Sequence, residues 1–239
     1  VPVLLGVSVW RLLIVASAVT GFALAAGEAG GFGDALPGLS QQASLLTAIV
    51  YFGLLCYPAC TGFRRHEPHS PWLRGAMAVL LLLVGGTFLT LMGGSLDEGW
   101  SLFEHLVTPL LVLADWIVVG RNQVNCRWWH PLTWLVFPLA YLVYYNVAAI
   151  DIYDFPLGFG DSEFAGYLFG FVAAVIAAGY LLYGIGRIRA AAVPSGPDRP
   201  FAPVGYPPQQ PYPQQPYPPE WYSPPGYQPQ PGHRAEWPP

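Results

Sequence analysis

The chain has 239 residues, 54% of them hydrophobic and only 10% charged, against roughly 25% charged in an ordinary soluble domain, a deficit that argues against a soluble enzyme. Its net charge is −4, and its ten basic residues are all Arg; they form no basic patch with interleaved aromatics, which argues against a nucleic-acid partner. Of its 26 prolines, 17 fall between Pro194 and Pro239, so the chain divides into two chemically different parts.

Six apolar stretches are long enough to cross a bilayer, which takes about 17 to 25 residues. They run from Trp10 to Ala26, Leu39 to Cys60, Trp72 to Met92, Leu102 to Val119, Leu132 to Ala149 and Phe164 to Ile185. The segments between them alternate in charge. Three carry only acids: Glu28 and Asp34, then Asp97 and Glu98, then Asp151, Asp154, Asp161 and Glu163. The others carry Arg64, Arg65 and Arg74, then Arg121 and Arg127, then Arg187, Arg189 and Arg199. Because cytoplasmic loops collect Arg and Lys near span ends, the expectation is an all-α, polytopic six-helix transmembrane bundle with both termini cytoplasmic. Arg11, the following apolar run and Ala23-Leu24-Ala25 also resemble a signal peptide; cleavage there leaves five helices with the same orientation.

Trp72, Trp100, Trp128, Trp129 and Trp134 gather at span ends, as interfacial anchors do. Pro109 and Pro138 interrupt the fourth and fifth spans and are read as kinks. Residues 1–192 therefore form a transmembrane domain. Residues 193–239, with the Pro/Gln/Tyr repeat from Tyr206 to Pro219, read as a disordered cytoplasmic tail, because such a composition buries too little apolar surface to offset ordering. The tail suits either a solvating spacer or a ligand for a cytoplasmic protein that reads Pro-rich motifs.

Polar groups inside a span are costly and mark structure or function. Here they are Arg11 in span one, Ser40, Gln41, Gln42 and Ser44 at the start of span two, and His105, Thr108 and Asp115 in span four. At 100° per residue, Thr108 and Asp115 lie about 60° and about 80° from His105, on one side of the helix. Arg11 and Asp115 both fall toward the cytoplasmic side, where an intramembrane ion pair reduces the cost of each. Spans two and four both enter from the outer face, which puts Ser40 and His105 at equal depth. A hydroxyl and an imidazole at one depth allow a Ser nucleophile with a His base, with Glu104 or Asp154 to orient the ring. They equally allow an interhelical network of Arg11, Gln42, Thr108 and Asp115 that fixes packing. Cys56, Cys60 and Cys126 are odd in number and suggest no disulfide framework. Neither a four-ligand metal pattern nor a nucleotide motif appears, and no cofactor is expected.

The stretch His105-Leu106-Val107-Thr108-Pro109-Leu110-Leu111-Val112-Leu113-Ala114-Asp115-Trp116 resembles the central motif of the Pr-six-Pr family, six-pass membrane proteins found mostly in actinobacteria. The likeness continues through Trp134-Leu135-Val136-Phe137-Pro138-Leu139-Ala140-Tyr141, and more faintly through Tyr153-Asp154-Phe155-Pro156 and Gly166-Tyr167. In layout that family is similar to the androgen-induced-gene-type membrane hydrolases, which cleave fatty acid esters of hydroxy fatty acids with an intramembrane Thr and His. The resemblance implies that His105 is the base and that Ser40, in Leu39-Ser40-Gln41-Gln42-Ala43-Ser44-Leu45-Leu46, stands in for the Thr. Ala43 and Ser44 replace the family's Ser-Asn pair. The resemblance implies a place in a bacterial plasma membrane and a membrane-embedded lipid-ester hydrolase acting on membrane lipids. The residues themselves also allow a non-catalytic scaffold recruiting partners through its tail and, against the lack of an internal repeat, a small transporter using the polar stripe of the fourth span.

Overall fold

The computed structural model describes residues 2–153 and 156–192. Among these residues all regular structure is helical. The main elements are α1 (Pro2–Ala29), α2 (Leu39–Cys60), α3 (Trp72–Thr90), α4 (Gly99–Val119), α5 (Val136–Val147) and α6 (Phe164–Ala192). Short turns of helix, Phe32–Ala35, Asn122–Asn125 and His130–Thr133, sit in the links. By length and composition α1, α2, α3, α4 and α6 can each cross a membrane, which gives five such helices among the described residues. The tail 193–239, its Pro-rich repeat and Asp154 lie outside the described residues.

The predicted fifth span is the main departure. Leu132 to Ala149 is not one helix: His130–Thr133 and Val136–Val147 are separated by a turn at Trp134 and Leu135. Pro138 has no N–H to offer the carbonyl of Trp134, so the ladder opens one turn before it. It resumes where Leu139 N donates to Leu135 O at 3.0 Å. The twelve residues of α5 rise only about 18 Å on their own, short of a hydrocarbon core of about 30 Å.

α3 is the central helix. Its residues from Arg74 through Leu81 are buried without a break, and α2, α4 and α6 pack around it. α1 lies against α2 and α4 through a stripe of Val7, Arg11, Ile14, Ala18, Phe22 and Ala25, at helical spacing. α2 answers with Ala43, Ser44, Thr47 and Ala48, small side chains that let helix backbones approach closely, as membrane bundles require. Leu5, Phe52, Phe169 and Ile188 remain exposed on the outside, where a hydrocarbon solvent suits them.

The two ends of the bundle differ. At one end the basic links are tied together: Asn122 Nδ2 donates to Pro68 O at 2.9 Å, and Arg189 donates to Ile117 O and Val118 O at 2.6 and 2.7 Å. At the other, the acidic links meet: Leu39 N donates to Tyr153 OH at 2.9 Å, and Tyr141 OH donates to Pro37 O at 2.8 Å.

Candidate functional site

Pro109 shapes the acidic half of α4. It cannot donate to the carbonyl of His105, and the helix widens into a π-turn over Phe103–Val107, where Thr108 N reaches back to Phe103 O. The widened turn moves the His105 carbonyl toward α3, where a Cβ on Gly85 would lie 2.6 Å from it. Glycine at position 85 is thus what lets the turn dock. The imidazole is 5% exposed. It stacks on Phe88 at 3.6 Å between ring centroids and meets the edge of Trp100 at 5.8 Å. Nδ1 lies 3.1 Å from the carbonyl of Ser101. A carbonyl only accepts, so Nδ1 carries the proton and Nε2 keeps its lone pair. That is the tautomer a general base needs.

His105 lies on the wall of a cavity of about 260 Å³, enclosed by the acidic ends of α2, α3, α5 and α6. Most of the wall is apolar: Leu83, Leu139, Leu142, Phe164, Leu168 and Val175. Ser40, Gln41, Tyr141 and Tyr153 add polar groups. The structure thus places Ser40 and His105, chosen from depth alone, on one cavity. It does not bond them to each other. Ser40 Oγ donates to Gln41 Oε1 at 3.2 Å, and Gln41 Nε2 donates to Glu104 Oε2 at 2.7 Å. Glu104 is fully buried and forms no part of the cavity wall. Its place is on the Ser40 side, through Gln41, rather than behind the His105 ring.

The expected network exists in a different form at the basic end. Asp115 does not bridge Arg11 directly. Arg74 stands between them: its Nε lies 2.7 Å from Asp115 Oδ2, one terminal nitrogen donates to the Asp115 carbonyl at 2.7 Å, and the other binds Asn122 Oδ1 and lies 3.5 Å from Glu67 Oε2. Glu67 in turn lies 3.6 Å from Arg11, which also donates to the carbonyls of Leu54 and His66. Tyr51 OH donates to Asp115 Oδ2 at 3.1 Å. All four charged side chains are at most 1% exposed, and two cations balance two anions. Thr108 is not part of this group; it shares a 2.7 Å hydrogen bond with Ser17 of α1. Gln42 is not part of it either, since its Nε2 donates to Leu36 O at 2.8 Å and holds the turn before α2.

Sequence reasoning missed Arg74 and Glu67. Arg74 reads as a loop charge by its sign, yet it lies two residues into an apolar run, and the structure buries it within the helix. Glu67 lies in the link between α2 and α3, outside any span, yet its side chain is 1% exposed and meets Arg11 and Arg74. Burial alone raises a carboxyl, but His66, Arg74 and the Arg121 N–H outweigh it and hold Glu67 below its ordinary value of 4.5. A carboxylate depressed on folding contributes stability that is present above the unfolded value and lost as pH falls through the folded one. The stability difference between the wild type and Glu67→Gln in detergent is therefore expected to be larger near neutral pH than in acid, and to close as pH falls below 4.5.

Cys126 is buried, its Sγ 3.5 Å from His130 Nδ1. Burial pushes its thiol up to about 11, which leaves it without the thiolate that nucleophilic chemistry needs.

Comparison with protein-family models, with curated proteins and with solved structures finds no match for this chain.

Proposed function

We propose that this chain is a six-span membrane protein of a bacterial plasma membrane, related to the Pr-six-Pr family, and that its cavity is the site of a lipid-ester hydrolase. The observation that carries the activity is the pairing on one apolar wall of a hydroxyl, Ser40, with an imidazole whose Nε2 lone pair is free, His105. In the reaction, Ser40 turns from Gln41 toward His105. Its Oγ attacks the ester carbonyl while its proton passes to Nε2. The carbon–oxygen bond to the alcohol breaks, and the alcohol leaves with that proton. Water then adds to the acyl-serine by the same route, releasing a carboxylic acid and restoring Ser40. The apolar wall holds the acyl chain. The test is covalent labelling of the purified protein by a fluorophosphonate, with Ser40→Ala and His105→Ala as the decisive variants.

Parity supports the sixth crossing. α4 ends at the basic end of the bundle and α6 begins at the acidic end, so the link between them traverses the bundle once, by way of α5. The positive-inside rule orients the basic end to the cytoplasm. In inverted membrane vesicles, an Arg64→Cys variant is expected to react with a membrane-impermeant maleimide and an Asp97→Cys variant is not, in a Cys60→Ser background; reaction of both from one side would refute the topology.

A further inference from the structure

α3 and α6 share packing partners toward the basic end and leave open space between them toward the acidic one. At the basic end they clamp Trp134: a Cβ on Gly75 would run into its indole, and one on Gly179 would lie 3.0 Å from Pro131 and 3.3 Å from the indole. Trp116 of α4 adds a bond from its Nε1 to the Leu182 carbonyl of α6 at 3.1 Å. Toward the acidic end a second hollow, of about 850 Å³, opens between α3 and α6. Its walls include Leu83 and Thr87 of α3 and Phe171 of α6, and the same three residues line the cavity that holds Ser40 and His105. The two spaces therefore adjoin across that threshold.

The hollow has the polarity of an amphiphile. Leu82, Leu91, Phe171 and Ala174 give it apolar walls, whereas Thr90, Ser162 and Glu163 stand at the end nearest the acidic links. Its width comes from missing side chains: a Cβ on Gly86, Gly166 or Gly170 would meet no atom within 4 Å. Both helices are long and apolar enough to cross a bilayer, so in the six-span reading hydrocarbon is the solvent on the open side of the hollow's apolar part. Its one charged wall residue, Glu163, is an acid, which disfavours an anionic headgroup.

We propose that the crevice between α3 and α6 is a lateral port through which the acyl chain of a neutral, single-chain lipid ester passes into the cavity, over Leu83, Thr87 and Phe171. This rests on the reading of the cavity as a lipid site. The ligand class is an uncharged single-chain ester, with its chain in the cavity and its polar end level with Ser40.

The test uses the full chain in phosphatidylcholine vesicles and two probes: a long-chain monoacylglycerol carrying a photoactivatable diazirine, and a short, water-soluble fluorophosphonate. A Cβ at Gly86 or Gly170 meets no atom within 4 Å, so Gly86→Leu and Gly170→Leu each start a side chain in open space and narrow the port. Photolabelling by the long-chain probe is expected to fall about tenfold in each, the effect of withholding roughly two methylene groups of burial. Labelling of Ser40 by the short probe is expected to stay at the wild-type level. Unchanged photolabelling in both variants overturns the port, as does an equal loss with both probes, which means that the cavity itself has collapsed. A wild type that is photolabelled through the port but never labelled at Ser40 keeps the port and rejects the hydrolase.

Discussion

Arg74→Met is expected to destabilise the protein by about 3 to 5 kcal/mol, the usual cost of removing one partner from a buried ion pair. The reason is charge bookkeeping inside a low-dielectric interior. Arg11, Glu67, Arg74 and Asp115 sum to zero, and each is almost wholly sealed from solvent. Removing Arg74 leaves two carboxylates facing one guanidinium, and Asp115 loses both its Nε contact and the donor on its carbonyl. The double variant Arg74→Met, Asp115→Leu removes one charge of each sign and leaves Arg11 with Glu67. It is therefore expected to be more stable than Arg74→Met alone, a coupling that a double-mutant cycle reads directly from unfolding in mixed detergent. Arg74→Lys is expected to rescue only partly. A point-charge ammonium cannot make the divergent contacts to Asp115 Oδ2, the Asp115 carbonyl and Asn122 that the planar fork makes together. Additive losses in the cycle would mean that the residues act separately.

The same network shows where the sequence was legible and where it was not. Apolar runs bounded by charged links located α2, α3 and α4 to within three residues, whereas α1 starts eight residues before the expected Trp10 and α6 runs seven past the expected Ile185; apolar composition marks the stretch that needs burial, and the helix continues beyond it. The runs failed at Leu132 to Ala149 because composition is blind to backbone hydrogen bonding, and Pro138 costs the helix a turn without changing its hydropathy. Depth along the chain put Ser40 and His105 at one level, since two spans entering from the same face share a coordinate; that they line one cavity depends on which helices are neighbours, which depth does not contain. Direction was not available from depth. The π-turn before Pro109 sets where neighbouring side chains point, which is why Glu104 serves Gln41 while His105 faces the cavity. For the buried charges, a residue's formal place in a loop or a span was the wrong guide. Glu67 belongs to a loop and Arg74 to the first turn of a helix, yet both are core residues because each supplies what Arg11 and Asp115 lack.

Ser40→Ala is expected to abolish fluorophosphonate labelling, and His105→Ala to slow it by about 100-fold or more, the lower range of what a positioned general base supplies. The two losses have different physical origins. Alanine at 40 removes the atom that forms the bond, whereas alanine at 105 leaves the hydroxyl in place and removes only the acceptor for its proton. It also empties the space against Phe88 and Trp100. His105→Gln keeps more of that volume without a basic nitrogen, and is expected to be as slow as His105→Ala if proton transfer is what matters. The resting hydrogen bond of Ser40 sharpens the comparison, because it points to Gln41 and, through it, to Glu104. If His105→Gln labels at the wild-type rate while Glu104→Gln does not, the proton leaves toward the carboxylate and His105 is only a wall of the cavity. If His105→Gln is slow and Glu104→Gln is close to wild type, Gln41 and Glu104 act as a parking place for the hydroxyl, which substrate binding releases toward Nε2.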